Sequence, residues 1–320
     1  MELSCAFATS AATPDHVAVA ESLGYRRAWL YDSPALYTDV WATMALAAQR
    51  TTRIGLASGV LIPSLRHPMV TAAALATVAE LAPGRITMGV GSGFTGRFAL
   101  GQRPNPWRFV AEYVRTVQTL LRGEEVLWEG ATIAMLHPDG FGAARPLRIP
   151  TVLAVGGPKG DEVAREVADG VIVTGHAHPG WDWCARLTFG TVLRPGEGLD
   201  SSRVRAAAGH GAAVAYHALY ERGADLSRLP GGARWQDELE AVIEHRRHLV
   251  THAGHLVHLN PLDESVITPE AIGALTFTGT AEHLRSQLAT FAANGITEIV
   301  YQPAGPDIPG ELEAFAGLVG

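Results

Sequence analysis

Apolar positions along the 320-residue chain fall into short continuous runs that alternate with helical periodicities. A run over 3–8 predicts a first strand. Thr13-Pro14-Asp15 predicts a helix start, with proline at the first helical position. Val17, Ala20 and Leu23 then repeat at helical spacing, and Gly24 stops the pattern. Runs over 28–31, from 54 to about 60, and over 86–90 predict three further strands. Helices over 39–49 and 69–81 separate them, the second ending at Pro83-Gly84. Residues 107–121 predict a strongly amphipathic helix, and 126–135 a small hairpin turning at Glu129-Gly130. The strand rhythm resumes at 151–155, 171–174, 187–193 and 298–302. Helices are predicted over 161–168, 203–222, 238–253, 281–294 and 308–318.

This alternation, with strands apolar on both faces, implies a parallel sheet, and about eight such units imply a closed barrel. The expected fold is α/β, a (β/α)8 TIM barrel with insertions after strands 4 and 7, forming one domain over 1–320. No Gly-x-Gly-x-x-Gly follows the first strand, which argues against an open dinucleotide-binding sheet.

Composition narrows the function. Hydrophobic residues make up 47% and charged residues 18%, enough to fill a large core. The net charge of -7 comes with no basic cluster, which argues against a nucleic-acid partner. Lys159 is the only lysine. Cys5 and Cys184 form no disulfide framework. No run is long enough for a membrane span, and the start Met1-Glu2-Leu3-Ser4 has no basic segment, so a cytoplasmic protein acting on a small molecule is expected.

Several segments carry candidate chemistry. Gly156-Gly157-Pro158-Lys159-Gly160 lies between a strand and a helix. Such a turn offers free backbone N–H groups and a positive helix end to a phosphate, or is only a tight turn. Val173-Thr174-Gly175 ends the next strand. Asp32 ends the second strand, as a candidate acid or as one arm of a salt bridge. Tyr37, Trp41 and Phe94 are candidate pocket aromatics. His245, His248, His252, His255 and His258 recur at spacings of three and four, as partly exposed helix residues would. No His-Glu-x-x-His is present, so no metal site is expected.

An ordered set of motifs resembles the bacterial-luciferase-like family. It comprises Gly24-Tyr25 with Ala28-Trp29-Leu30-Tyr31-Asp32, then Ala57-Ser58-Gly59-Val60-Leu61-Ile62-Pro63 with Arg66-His67-Pro68. Glu80-Leu81-Ala82-Pro83-Gly84-Arg85 and Met88-Gly89-Val90-Gly91-Ser92-Gly93 follow, and then Leu120-Leu121-Arg122-Gly123-Glu124-Glu125. Ile149-Pro150-Thr151, Gly156-Gly157-Pro158-Lys159 and Ala168-Asp169-Gly170-Val171 complete it. The branch it looks most like resembles the methylenetetrahydromethanopterin reductases that use coenzyme F420, a deazaflavin; other branches use FMN.

The resemblance implies a hydride-transferring oxidoreductase and often a homodimer. An FMN-dependent monooxygenase is the first alternative, a non-catalytic flavin-binding protein the second. A metal-dependent barrel hydrolase would require the histidine row to bind metal. The resemblance implies cofactor contacts from Ser58, Gly59, Val60, Gly91, Ala154, Gly156, Gly157, Pro158, Lys159, Thr174 and Gly175, with a cis peptide at Gly59-Val60. It gives Arg66-His67-Pro68 a structural role. Two positions depart from the family pattern: Ser33 stands where many relatives have histidine, and Phe94 where glucose-6-phosphate-oxidising relatives have glutamate. A substrate less polar than a sugar phosphate is therefore expected. Residues 175–278 match poorly and are where substrate-facing insertions are expected.

Overall fold

The computed structural model describes residues 1–138 and 140–319. Its strands are β1 Glu2–Phe7, β2 Arg27–Leu30, β3 Gly55–Ser58, β4 Ile86–Gly91, β5 Val126–Trp128, β6 Ala131–Ile133, β7 Thr151–Ala154, β8 Gly170–Val173, β9 Cys184–Phe189 and β10 Glu298–Gln302. Helices α1 Thr13–Ser22, α2 Val40–Arg50, α3 Pro68–Leu81, α4 Phe94–Phe98, α5 Trp107–Leu121 and α6 Pro158–Val167 accompany the first half. Helices α7 Ser202–Glu221, α8 Gly232–Glu240, α9 Arg247–Thr251, α10 Pro261–Glu264 and α11 Pro269–Leu275 form an excursion after β9. Helices α12 Ala281–Ala293 and α13 Ile308–Ala316 flank β10.

Eight parallel strands close in the order β1-β10-β9-β8-β7-β4-β3-β2, the TIM barrel expected from the alternation. The antiparallel β5–β6 hairpin stands outside it. The insertions follow β4 and β9, the fourth and seventh barrel strands, as expected. Among the described residues no helix is long and apolar enough to cross a membrane.

Strand alternation divides the core into two layers. Outward side chains such as Cys5, Phe7, Leu30, Leu56, Met88, Val90, Leu153 and Val171 pack under the helices. Inward side chains are Ala6, Trp29, Tyr31, Ala57, Val152, Ile172, Ala185 and Val300. Most of these are small, because the buried Trp29 indole fills much of the interior.

The barrel floor holds a buried ion pair. Glu298 is fully buried, and Arg27 Nη1 donates to it at 2.7 Å. Trp29 Nε1 and Trp183 Nε1 donate to the same carboxylate at 3.0 and 2.7 Å. The Arg27 guanidinium lies 4.5 Å from the Trp183 ring centroid. Three donors together satisfy a charge that burial alone would penalise.

The excursion has its own apolar core, in which Tyr216, Trp235, Leu239, Leu262 and Ile272 are buried. Arg203 at the start of α7 ties it back to the barrel. Its guanidinium pairs with Glu197 and with Glu311 of α13, while Thr191 Oγ1 donates to Glu311 at 2.6 Å.

Two expected elements differ. The strand expected over 187–193 is Cys184–Phe189. Its polar Arg186 and Thr188 alternate with inward Leu187 and Phe189, and Gly190 ends it, because a Cβ there would collide with the Phe277 carbonyl. The helix expected over 238–253 breaks into α8, a 3-10 turn and α9. Past Leu239, Ala241 and Ile243 are exposed and Val242 is only half-buried, and Arg247 takes up the carbonyls of Glu240 and Val242 at and just past the end of α8.

Truncating Glu298 to Ala leaves Arg27 buried without its carboxylate. Urea unfolding is expected to show a loss of about 3–5 kcal/mol. The Arg203 hydrogen bond pulls the Glu197 carboxyl down from 4.5 to about 2. The stabilisation from this depressed carboxyl is complete above the ordinary value and lost as pH falls from 4.5 towards about 2. Melting temperature is therefore expected to fall more steeply in that window for the native chain than for Glu197→Gln.

Candidate active site

The C-terminal ends of the barrel strands form the mouth, where such barrels place their chemistry. The bend after β3 is set by how closely β3 approaches β4. Ser58 Oγ donates to the Gly89 carbonyl at 3.0 Å and accepts from the Gly89 N–H at 2.9 Å. A Cβ on Gly89 would collide with the Ser58 carbonyl oxygen, and one on Gly91 would lie 2.8 Å from Val60 Cγ2. Glycine at both inward positions of β4 therefore makes room for a bulge at Gly59-Val60, whose peptide bond is cis. The bulge is held by the Gly59 N–H to Leu30 carbonyl bond at 2.7 Å and the Leu61 N–H to Gly89 carbonyl bond at 2.8 Å.

Two of the residues expected to touch a cofactor lie beneath this bulge. Ser58 is fully buried, with its hydroxyl consumed by Gly89, and Gly91 is buried behind Val60 and Ala154. Both support the bulge from beneath. Gly59, Val60 and Ala154 are half-buried and face the barrel interior near the mouth.

Across the mouth, α6 begins at Pro158 with Gly157 as its N-cap. Gly156, Pro158, Lys159, Thr174 and Gly175 are exposed. A Cβ at Gly156, Gly157 or Gly175 would meet no protein atom within 4 Å. The turn thus leaves open space before a helix N-terminus, which suits a phosphate. Gly160 serves packing instead, since a Cβ there would lie 2.6 Å from the Trp107 ring.

Asp32 is buried and bonded to Arg66 Nη1 at 2.6 Å; Arg66 also reaches Asp39 at 3.2 Å. Burial pushes the Asp32 carboxyl above its ordinary value, and the Arg66 guanidinium opposes that push. Of the two readings of Asp32, the structure supplies the salt bridge. It pins the loop that follows the bulge, and Arg66 acts there as a structural residue.

The excursion roofs the mouth. Leu256 reaches the barrel's inner cluster with φ of 60°, a conformation that non-glycine residues rarely adopt. Gln302 Nε2 donates to the Leu256 carbonyl at 2.6 Å while its Oε1 accepts from Tyr31 at 2.8 Å. Tyr37 donates to the His255 carbonyl at 2.7 Å. Beside this roof lies a cleft of about 330 Å³, lined by Tyr37, Ala99, His248, His252, His255 and His258 among others. Of the three candidate pocket aromatics, Tyr37 lines this cleft. Trp41 and Phe94 are not among its lining residues. Trp41 packs on the strand–helix layer, and Phe94 stacks edge-on with Phe98 at 4.8 Å, near the Arg222 guanidinium.

The histidine row is not a helical face, because α9 ends at Thr251 and Gly254 turns the chain with φ of 67°. His252 and His255 are buried, not partly exposed, and the fold brings His217 of α7 to them. His245, His248 and His258 stay outside this cluster. His217 was invisible as a partner, since it sits 35 residues upstream of His252 in an alanine-rich helix.

The luciferase-like monooxygenase family model matches residues 7–181. A 5,10-methylenetetrahydromethanopterin reductase of Archaeoglobus fulgidus is 26% identical over 91% of this chain and 90% of its own. An F420-dependent glucose-6-phosphate dehydrogenase of Beutenbergia cavernae is 36% identical over 50% of this chain and 51% of its own. The chain spans about half the length of most of the curated relatives it matches. A solved coenzyme F420-dependent tetrahydromethanopterin reductase from Methanopyrus kandleri superposes with a TM-score of 0.69 at 18% identity, covering 99% and 98% of the two chains. The matched stretch holds the bulge, the open turn and most of the barrel, and the chain belongs to the luciferase-like monooxygenase family of enzymes.

Proposed function

We propose that the protein is an F420-dependent oxidoreductase that exchanges a hydride with a small organic substrate. The observation that carries this reading is the pairing, at one barrel mouth, of the clasped Gly59-Val60 bulge with the open turn at Gly156-Gly157. The F420-dependent relatives support the deazaflavin over FMN.

The residues present fit such a cofactor. Gly156, Gly157, Pro158, Lys159, Thr174 and Gly175 would hold its phosphate, because the three glycines leave the space that side chains would fill. Gly59, Val60 and Ala154 would lie under its ring system. When bound, a deazaflavin supplies hydride chemistry at one ring carbon. The protein's part is to orient and to exclude water. Leu256 and the Gln302–Tyr31 pair close the mouth from above, and the cleft beside Tyr37 gives a substrate room of about 330 Å³. His248 and His258 line that cleft and offer imidazoles for proton exchange with a bound substrate.

Titrating cofactor-free protein tests the reading. F420 is expected to bind at least about tenfold more tightly than FMN, a difference near 1.4 kcal/mol. FMN binding alone, with oxygen consumption, would replace hydride transfer by monooxygenation. Gly157→Val is expected to weaken F420 binding by about tenfold or more while leaving the unfolding transition in place, because its Cβ meets no protein atom.

Asp32→Asn is expected to act on stability, lowering it by about 3 kcal/mol as Arg66 loses its buried partner and keeps only the exposed Asp39. Turnover of the folded fraction should change only a few-fold. A loss of about 100-fold or more at unchanged stability would restore Asp32 to the chemistry as an acid or base.

A further inference from the structure

The excursion buries three imidazoles in a triangle. The His217, His252 and His255 rings lie 5.3–5.8 Å apart, centroid to centroid. One ring nitrogen from each falls within 4.8 Å of the other two. His217 Nδ1 and His255 Nδ1 are 3.1 Å apart, close to the spacing of two nitrogens that share a metal at about 2.1 Å.

The outer nitrogens are held by carboxylates. His217 Nε2 meets Asp263 at 3.0 and 3.2 Å, and Trp235 Nε1 fixes that carboxylate at 2.9 Å. His252 Nε2 meets Glu221 at 3.2 Å. With those nitrogens donating to carboxylates, Nδ1 of His217 and of His252 carries a lone pair, and the proton between His217 Nδ1 and His255 Nδ1 is the one a metal ion would displace by shifting His255 to its other tautomer. This is the arrangement in which a second carboxylate shell orients metal-binding histidines. His252 Nδ1 is buried and has no hydrogen-bond partner in the protein.

We infer that His217, His252 and His255 form a binding site for one divalent transition metal ion of the zinc type. Three histidines suit a borderline ion such as Zn2+ or Co2+, and three protein ligands leave a fourth position for water or another oxygen donor. His252 and His255 also line the cleft beside Tyr37, so the site adjoins the space available to a substrate. The inference rests on the cluster alone and requires no bound deazaflavin.

The test uses the full chain, freed of any affinity tag, stripped with a chelator and titrated with Co2+ and with Zn2+ in the absence of flavin or deazaflavin. About one ion per chain is expected, with visible Co2+ absorption of a four-coordinate site. His252→Asn and His255→Asn should each abolish that signal while circular dichroism stays native. Glu221→Gln should weaken binding by about tenfold through its loss as orienting carboxylate. His258→Asn, altered in the same cleft but outside the cluster, should bind normally. No binding up to about 100 μM ion by the folded native chain would overturn the inference. So would full binding by the two cluster variants, or equal loss in His258→Asn. If the double variant His252→Asn/His255→Asn unfolds, Co2+ spectra of Glu221→Gln decide, since that residue is not a ligand.

Discussion

The approach of β3 to β4 at Ser58 and Gly89 sets the shape of the barrel mouth. The distance between these strands is fixed by neighbours that cannot yield. The Ser58 carbonyl and the Trp29 ring leave room only for hydrogen at Gly89, and Val60 with Ala154 does the same at Gly91. The Ser58 hydroxyl then bonds both polar groups of Gly89, and the chain after Ser58 must bulge to let Val60 sit over Gly91. Interiors are packed too densely for a methyl group to be absorbed at such a contact without backbone movement. The close approach of β3 backbone, with the Trp29 ring behind it, thus requires glycine at 89, and the bulged Val60 requires it at 91.

The two ends of the barrel are held by different forces. The floor carries a buried charge pair whose carboxylate takes three donors. Such a group is costly to leave half-satisfied, which makes the floor rigid. The mouth is closed by neutral hydrogen bonds from Gln302 and Tyr37 to backbone carbonyls of the excursion. Each of these contributes about 1 kcal/mol. Leu256 holds a left-handed backbone to reach the interior, which costs of order 1–3 kcal/mol. Floor and roof therefore differ in strength, the roof being the weaker of the two.

Legibility in the sequence followed the range of the interactions involved. Alternating apolar runs gave the barrel and its two insertions, because strand and helix periodicity are local. The amphipathic helix Trp107–Leu121 and the strand Glu298–Gln302 matched residue for residue. The open turn at Gly156-Gly157 was readable because its glycines are adjacent in the chain. The role of Ser58 was not, since its partner Gly89 lies 31 residues away and nothing local marks the pair. Asp32 was open between acid and salt bridge until Arg66, 34 residues on, was seen beside it. The histidine row misled for the converse reason: its spacing mimicked a helix, while Gly254 turned the chain and a ring from another helix completed the cluster.

The family match stops at residue 181, before the excursion begins. Everything suited to hold a cofactor phosphate and to lie beneath a ring system falls within it. The cleft is built differently: Tyr37 and Ala99 come from barrel loops, but the imidazole and aliphatic wall from His248 to His258 comes from the excursion. Likeness in the barrel therefore carries information about cofactor class and little about substrate. Two chains with the same mouth will differ in what they accept according to the helices laid over it. In this chain those helices bring buried imidazoles, not a sugar-binding carboxylate, to the edge of the cleft. On the proposed reading, that wall offers a substrate imidazoles, and an ion held by them, that engage oxygen or nitrogen groups.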